Sequence, residues 1–260
     1  MSSAAILAHD DRGTGEAMVL LHGHPFDRRM WAPQLEGLSR DFRLLAPDLP
    51  GYGASPPKPP KITMRELADA VLGLMDAVEI GRARIVGLSM GGLVAMELAL
   101  AHPDRASGVV LAATTAAPVT TGEAEARRAQ ADEIERDGML ATALEMAGRL
   151  FGPEARKNPE LLSTVFTMMV STPPGGAAAA LRGRAERPDY STLLRELGVP
   201  SLVIVGDHDS WAPEAVTEQL VASLPDAKLQ RFPGAGHLPN LEDPERFNTA
   251  LRAFAGRTTR

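Results

Sequence analysis

The chain has 260 residues, no cysteine and a formal net charge of −6 at pH 7. A chain of this length with 44% hydrophobic residues can bury a full core, and α/β chains of this size commonly form one domain. Without cysteine there is no disulfide, thiolate nucleophile or zinc–thiolate site, and the net acidity argues against nucleic acid as a partner.

The sequence also shows no membrane or export signal. Its apolar runs are much shorter than the ~20 residues that span a bilayer. The first ten residues lack the basic region and hydrophobic stretch of a secretory signal. We therefore expect no membrane partner and a cytoplasmic location.

Short apolar runs alternate with stretches of helical periodicity in the first and last parts of the chain. Strands are predicted at residues 17–21, 42–46, 84–88, 106–113, 201–205 and 228–232. Helices are predicted at residues 63–79, 91–101, 214–224 and 244–254, and Thr63 with Glu66 fits a capping box at the start of the first. Unalternated apolar strands interleaved with helices predict an α/β fold with a mostly parallel central sheet flanked by helices.

Residues 116–197 interrupt this alternation. The segment is rich in alanine, arginine and glutamate, and its helical patches at 123–136, 139–150, 160–169 and 176–186 are separated by proline-containing breaks. We interpret it as a helical insertion between two central strands, with residues 1–115 and 198–260 forming the core. The proline-rich run at 56–60 predicts a stiff exposed loop.

The motif that indicates chemistry is G-x-S-x-G at residues 87–91, where a predicted strand meets a predicted helix. In that context the motif is typical of a nucleophile elbow, in which Ser89 stands on a strained turn. The helix that follows directs its first backbone N–H groups and its positive dipole end toward the serine. Ser89 is therefore the candidate nucleophile.

A serine hydroxyl needs a general base and a group that orients the base. His237 lies in a glycine-bounded loop after the last predicted strand, at the carboxyl edge of the sheet where open α/β folds bind ligands. The loop after strand 201–205 offers two carboxylates, Asp207 and Asp209, whereas the loop after strand 106–113 offers none. The predicted order is therefore serine, acid, histidine.

Five motifs in this order make the chain resemble the α/β-hydrolase superfamily over nearly its whole length. They are HGHP at 22–25, D-x-x-G-x-G at 48–53, G-x-S-x-G-G at 87–92, G-x-x-D-x-x-x-P at 206–213 and G-x-x-H at 234–237. The resemblance implies an α/β-hydrolase fold with the insertion as a helical cap. It also implies that Asp209 is the acid, that the backbone N–H groups of Met90 and His24 are the oxyanion donors and that His22 supports the loop.

The resemblance to the serine esterase and cofactor-free haloperoxidase branch implies a catalytic triad of Ser89, Asp209 and His237. The expected reaction is hydrolysis of a small-molecule carboxylic ester or acyl compound through an acyl-enzyme, with no organic cofactor and no metal. Four larger side chains are expected to line the substrate pocket: Trp31, Met146, Met168 and Trp211. The alternative for the two methionines is packing of the cap onto the core, and the alternative for the two tryptophans is packing beneath the pocket.

Other activities of the superfamily stay open at this point. A cofactor-free haloperoxidase or perhydrolase uses the same triad, and a carbon–carbon bond hydrolase or a non-catalytic hydrolase-fold receptor are further alternatives. Epoxide hydrolases and haloalkane dehalogenases are disfavoured because the elbow carries Ser89 rather than aspartate. Enol-lactonases share the elbow, but their usual oxyanion loop differs from HGHP.

Overall fold

The computed structural model describes residues 6–56 and 60–256, which form seven β-strands and eleven α-helices. The strands are β1 (His9–Arg12), β2 (Ala17–Leu21), β3 (Arg43–Pro47), β4 (Ala83–Leu88), β5 (Ala106–Ala112), β6 (Ser201–Gly206) and β7 (Ala227–Phe232). The helices are α1 (Ala32–Leu38), α2 (Met64–Ala77), α3 (Met90–Ala101), α4 (Thr121–Asp137), α5 (Leu140–Ala147), α6 (Pro159–Ser171), α7 (Pro174–Arg184), α8 (Tyr190–Leu193), α9 (Glu214–Ala222), α10 (Pro239–Glu242) and α11 (Pro244–Ala255).

The strands form one sheet in the order β1-β3-β2-β4-β5-β6-β7. Strand β1 is antiparallel to β3, and all the other neighbouring pairs are parallel. The mostly parallel sheet and the six predicted strands are confirmed. Strand β1 was not predicted because its residues, HDDR, carry no apolar alternation and pair through the backbone at an edge.

Alternate residues of the central strands point to opposite faces of the sheet, as the pleat requires. In β2, Val19 and Leu21 join the apolar cluster that α2 and α3 cover, whereas Met18 and Leu20 join the cluster that α1 and α11 cover. Both faces are therefore buried, which explains the unalternated strand sequences. The capping box of Thr63 and Glu66 is present at the start of α2.

Helices α4 to α8 lie between β5 and β6 in the chain, within the predicted insertion. Helices α4 and α7 pack on each other through a small apolar cluster that includes Ile134 and Leu181. Phe151 and Met168 instead join the larger cluster on the α1 and α11 face of the sheet. Of the predicted proline-rich loop, residues 57–59 lie outside the described residues.

Three short helices escaped prediction for a common reason. Helix α1 has seven residues and includes a proline and a glycine, and α8 and α10 have four residues each. Such lengths are too short to show a helical period. Among the described residues, none of the helices combines the length and apolar character that crossing a bilayer requires.

The contact between β4 and α3 leaves no room for a side chain. A Cβ atom on Gly87 would lie 2.2 Å from the carbonyl oxygen of Gly91. We predict that Gly87→Ala lowers the free energy of unfolding by about 1–3 kcal/mol, because β4 and α3 must move apart to admit the methyl group. Gly73→Ala is the matched control: its site in α2 has no atom within 4 Å, so alanine stabilises by about 0.5–1 kcal/mol. Denaturant unfolding measures both changes, and equal stability of the two variants would contradict the prediction.

Candidate active site

Ser89 occupies the turn between β4 and α3 with backbone angles φ 55° and ψ −113°. A positive φ is strained for a residue with a side chain, and such strain is found mainly where the surrounding structure enforces it. Two hydrogen bonds hold the turn: the backbone N–H of Ser89 donates to the carbonyl oxygen of Ala112 at 2.8 Å, and the Thr114 hydroxyl donates to the backbone carbonyl oxygen of Ser89 at 2.8 Å. The sharp turn predicted from G-x-S-x-G is thus present at Ser89.

His237 and Asp209 lie together at the carboxyl edge of the sheet. The Nδ1 atom of His237 is 2.9 Å from a carboxylate oxygen of Asp209, and both side chains are buried. The other Asp209 oxygen accepts hydrogen bonds from the N–H groups of Trp211 and Ala212 at 2.9 and 3.2 Å. Burial alone would raise the pKa of Asp209, but His237 and these two amides outweigh burial and hold the pKa below its ordinary value.

The geometry separates the two carboxylates that the loop sequence offered. Asp209 is buried against His237, whereas Asp207 and the neighbouring His208 are exposed. Because Nδ1 of His237 faces Asp209, Nε2 is the ring nitrogen available toward the cavity that Ser89 borders. The indole of Trp211 packs edge-on against the imidazole, with ring centroids 4.8 Å apart.

Glu242 holds the loop around His237, a role that the sequence analysis did not assign. Its carboxylate accepts the N–H groups of Gly236 at 2.9 Å, Leu238 at 3.1 Å and Gly152 at 2.8 Å. Burial raises the pKa of Glu242 even though these amides lower it. The signal available in the sequence was only an acid five residues after His237, at the end of the short helix α10.

The loops after β2 and β3 are joined beside Ser89. Nε2 of His22 accepts the N–H of Leu49 at 2.9 Å, and its Nδ1 lies 2.9 Å from the oxygen of Gly23. The first contact needs Nε2 unprotonated, so His22 carries its proton on Nδ1 and is neutral. Burial lowers the pKa of His22, consistent with that state. These contacts match the supporting role expected for His22.

Tyr52 connects the two predicted oxyanion residues. Its hydroxyl lies 2.8 Å from Nδ1 of His24 and 3.7 Å from the sulfur of Met90. Tyr52 is fully buried, and burial raises its pKa above the ordinary value. The motif at 48–53 contained this tyrosine, but nothing in the sequence showed that its ring reaches His24.

Ser89 and His237 border one cavity of about 380 Å³ between the core and the segment 116–197. A volume of that order suits a small-molecule ligand. Met146 and Trp211, two of the residues expected at the substrate pocket, line this cavity, and the guanidinium of Arg149 stacks 4.7 Å above the Trp211 ring. Within the described part of the chain, no group of three or more histidines and carboxylates is placed to hold a metal.

Two of the predicted pocket residues lie elsewhere. Trp31 is fully buried and packs against Phe247, 6.0 Å between ring centroids, in the cluster that α1 and α11 cover. Met168 is buried beside a separate surface depression that Leu161 also lines. Neither borders the cavity of Ser89. The prediction failed for both because apolar residues at helical or loop positions more often pack the core than face a ligand.

Comparison with known proteins agrees with the fold. Residues 16–244 match the family described as alpha/beta hydrolase fold. A pimeloyl-[acyl-carrier protein] methyl ester esterase from Chromobacterium violaceum is 34% identical over 246 residues, 92% of this chain and 94% of its own length. A putative non-heme bromoperoxidase from Mycobacterium tuberculosis is 29% identical, over 95% and 97% of the two chains.

Among solved structures, a thermophilic esterase from Thermogutta terrifontis, with malate bound, is 40% identical with a TM-score of 0.94. The match covers 96% of this chain and 92% of that one. The protein belongs to the α/β-hydrolase family. Its relatives are named as hydrolases and esterases, so the chain is an α/β-hydrolase enzyme.

The contacts of Glu242 lead to a prediction about the His237 loop. Glu242→Ala leaves three backbone N–H groups without their acceptor, which we expect to cost about 1–3 kcal/mol of unfolding free energy. Amide hydrogen exchange at Gly236 and Leu238 should become faster. Glu245→Ala, an exposed position in α11, is the control and should leave exchange in this loop unchanged. Unchanged exchange in Glu242→Ala would contradict the assigned role.

Proposed function

We propose that the protein is a serine hydrolase that cleaves a small carboxylic ester through an acyl-enzyme on Ser89. The observation that supports this most is the buried hydrogen bond between Asp209 and His237 at the edge of the cavity that Ser89 borders. A carboxylate on Nδ1 fixes the imidazole tautomer that leaves Nε2 as a proton acceptor. A strained serine, an oriented histidine and a cavity for a small molecule are the parts that acyl transfer requires.

In the proposed mechanism Nε2 of His237 accepts the proton of the Ser89 hydroxyl as the oxygen attacks the ester carbonyl. The negative oxygen that forms would be bound by the backbone N–H groups of Met90 and His24. A donor of this kind contributes about 3–4 kcal/mol to the transition state. His237 then protonates the leaving alkoxide and activates the water that releases the acid.

The contacts of Tyr52 support this oxyanion site. Tyr52 contacts the side chains of both His24 and Met90, so it ties together the two residues whose N–H groups would act. Met90 is the first residue of α3, where the N–H groups have no helical acceptor. Tyr52 is thus a positioning residue in this proposal.

The segment 116–197 would act as the cap. It contributes Met146 and Arg149 to the cavity wall, and the backbone oxygen of Leu150 accepts a hydrogen bond from the backbone N–H of His237 at 2.7 Å. A change in the cap would therefore alter both the substrate space and the position of the base. The residues 1–115 and 198–260 supply Ser89, Asp209 and His237.

The names of the relatives favour an ester as the substrate, since the Chromobacterium and Thermogutta proteins are both esterases. The mycobacterial bromoperoxidase supports a second candidate, in which the same triad forms a peracid from a carboxylic acid and peroxide. Bromination of monochlorodimedone with acetate, peroxide and bromide measures that activity, because the peracid oxidises the bromide. A rate well above ester hydrolysis would favour the second candidate.

The main test is the hydrolysis of p-nitrophenyl esters. Ser89→Ala removes the nucleophile, and we expect kcat/KM to fall at least about 10³-fold because triad members act as one unit. Ser163→Ala, at an exposed position of α6, is the control and should retain the wild-type rate. Equal rates for wild type and Ser89→Ala would refute the proposal.

A second pair of variants tests the acid. Asp209→Asn should lower kcat about 10²- to 10⁴-fold, because an amide favours the wrong tautomer of His237. The exposed Asp207→Asn is the matched control from the same loop and should change kcat little. If Asp207→Asn were inactive while Asp209→Asn retained activity, the assignment of the acid would be wrong.

A further inference from the structure

The wall of the cavity formed by the segment 116–197 is basic, in a chain whose net charge is −6. The cavity is bordered by four arginines: Arg127, Arg149, Arg184 and Arg187. Two carboxylates, Glu123 and Glu145, also border it. The excess of arginine over carboxylate is the opposite of the charge balance of the whole chain.

Three of these arginines have guanidinium atoms without a partner. The Nε atoms of Arg184 and Arg187 and the Nη1 atom of Arg127 are buried, and none has a hydrogen-bond acceptor in the described ranges 6–56 and 60–256. Arg187 is only 8% exposed, and its Nη2 atom donates to the backbone oxygen of Ala117 at 3.0 Å. A buried donor without an acceptor costs free energy, more so when it is charged.

The nearest carboxylate does not compensate for this charge. One oxygen of Glu123 accepts the N–H and the hydroxyl of Thr120 in the capping box of α4, and the other lies 4.0 Å from Nη2 of Arg127. Among the described residues, no carboxylate oxygen lies within 4.0 Å of the guanidinium nitrogens of Arg184 or Arg187. Arg127, Arg184 and Arg187, the arginine cluster, therefore keep N–H donors that can bind an anion entering the cavity.

The arginines also act on one another. Burial, together with the charges of Arg127 and Arg187, lowers the pKa of Arg184 to about 10. Burial likewise lowers the pKa of Arg187 to about 10, with a contribution from Arg127. Like charges held together in a buried wall are unfavourable for folding, and such arrangements are concentrated at sites that bind a ligand.

The arginine cluster borders the same cavity as His24, a residue of the proposed oxyanion site. Both His24 and Arg184 border the cavity, and the pKa of His24 is lowered by burial and lowered further by the charge of Arg184. Nε2 of His24 is also buried without a partner in the part of the chain that the structure describes, and the residue borders the cavity. A group attached to a carbonyl carbon whose oxygen is held at His24 would therefore share the cavity with these arginines.

We propose that the substrate is an ester whose acyl part ends in a carboxylate, and that Arg127, Arg184 and Arg187 bind this carboxylate. The proposal rests on the proposed ester hydrolysis at Ser89 and adds the substrate class. The planar guanidinium group matches a carboxylate in two parallel hydrogen bonds, and charge-assisted bonds of this kind are strong. The binding neutralises the cluster and supplies the missing acceptors.

Two p-nitrophenyl esters of equal chain length test the proposal. The hemiglutarate ends in a carboxylate where the pentanoate ends in a methyl group. We expect wild-type kcat/KM to be at least about tenfold higher for the hemiglutarate, and the ratio to fall as sodium chloride is added. In Arg184→Gln and Arg187→Gln the ratio should fall about tenfold, because the carboxylate loses a charged partner.

Arg182→Gln is the matched control on the same helix. Arg182 contacts Asp132 and Glu135 at 2.7 Å and does not border the cavity, so the wild-type ratio should be retained. If Arg184→Gln does not fold, Arg127→Gln in α4 serves in its place. If the wild-type ratio is near one, and neither Arg184→Gln nor Arg127→Gln changes it, the carboxylate proposal is overturned. Ester hydrolysis at Ser89 would still stand.

Binding measurements keep the two proposals separate. If neither ester is hydrolysed, the proposed function fails, and titration calorimetry with glutarate and the uncharged glutaramide decides the carboxylate site. Wild type should bind glutarate at least about tenfold more tightly than glutaramide, and Arg187→Gln should lose that difference. Equal binding of the two compounds by wild type would overturn the carboxylate proposal.

Discussion

The close packing of α3 on β4 is the constraint on which the rest of the site depends. A Cβ atom on Gly91 would lie 2.1 Å from the oxygen of Leu21, and one on Gly87 would lie 2.2 Å from the oxygen of Gly91. With both positions occupied by glycine, the chain turns from strand to helix within one residue. That residue is Ser89, which takes the positive φ and stands at the carboxyl edge of the sheet. The loops that follow the neighbouring strands are then arranged around Ser89.

Those loops are held by buried polar contacts. Asp209 and Glu242 both accept backbone N–H groups, and between them they fix the ring and the loop of His237. Buried carboxylates are costly unless they are hydrogen-bonded, so each of these contacts contributes to stability as well as to geometry. The same rule makes the arginine cluster stand out, since three of its buried guanidinium nitrogens have no acceptor among residues 6–56 and 60–256. Asp209 and His237 are hydrogen-bonded to each other, whereas the Nε atoms of Arg184 and Arg187 have no acceptor in the part of the chain that the structure describes.

The central fold was predictable because it depends on short-range patterns. Apolar runs marked six strands, and glycine at 87 and 91 marked the elbow, since local sterics determine both. Strand β1 was not predictable because it pairs through its backbone and carries no apolar signal. In the site, the positions of the motifs at the ends of predicted strands placed Ser89, an acid and His237 at one edge of the sheet. The choice of Asp209 over Asp207 required the sequence pattern of the family.

The remaining parts of the site depend on tertiary contacts that the sequence does not encode locally. Tyr52 reaches His24 from the next loop, and Glu242 reaches Gly152 across 90 positions. Trp31 and Met168 were expected at the pocket but pack into the core, because their sequence neighbours do not show which face they turn to. Arg127 lies in α4, whereas Arg184 ends α7 and Arg187 follows three residues later, so Arg127 joins the other two only when α4 packs on α7.

Peptide mass mapping after reaction with a fluorophosphonate ester tests the central claim most directly, because this probe labels serines that a histidine activates. We predict one phosphonyl adduct, on Ser89, which is lost in His237→Ala while that variant remains folded. An adduct on another serine, or ester hydrolysis by an enzyme in which Ser89 is never labelled, would contradict the account.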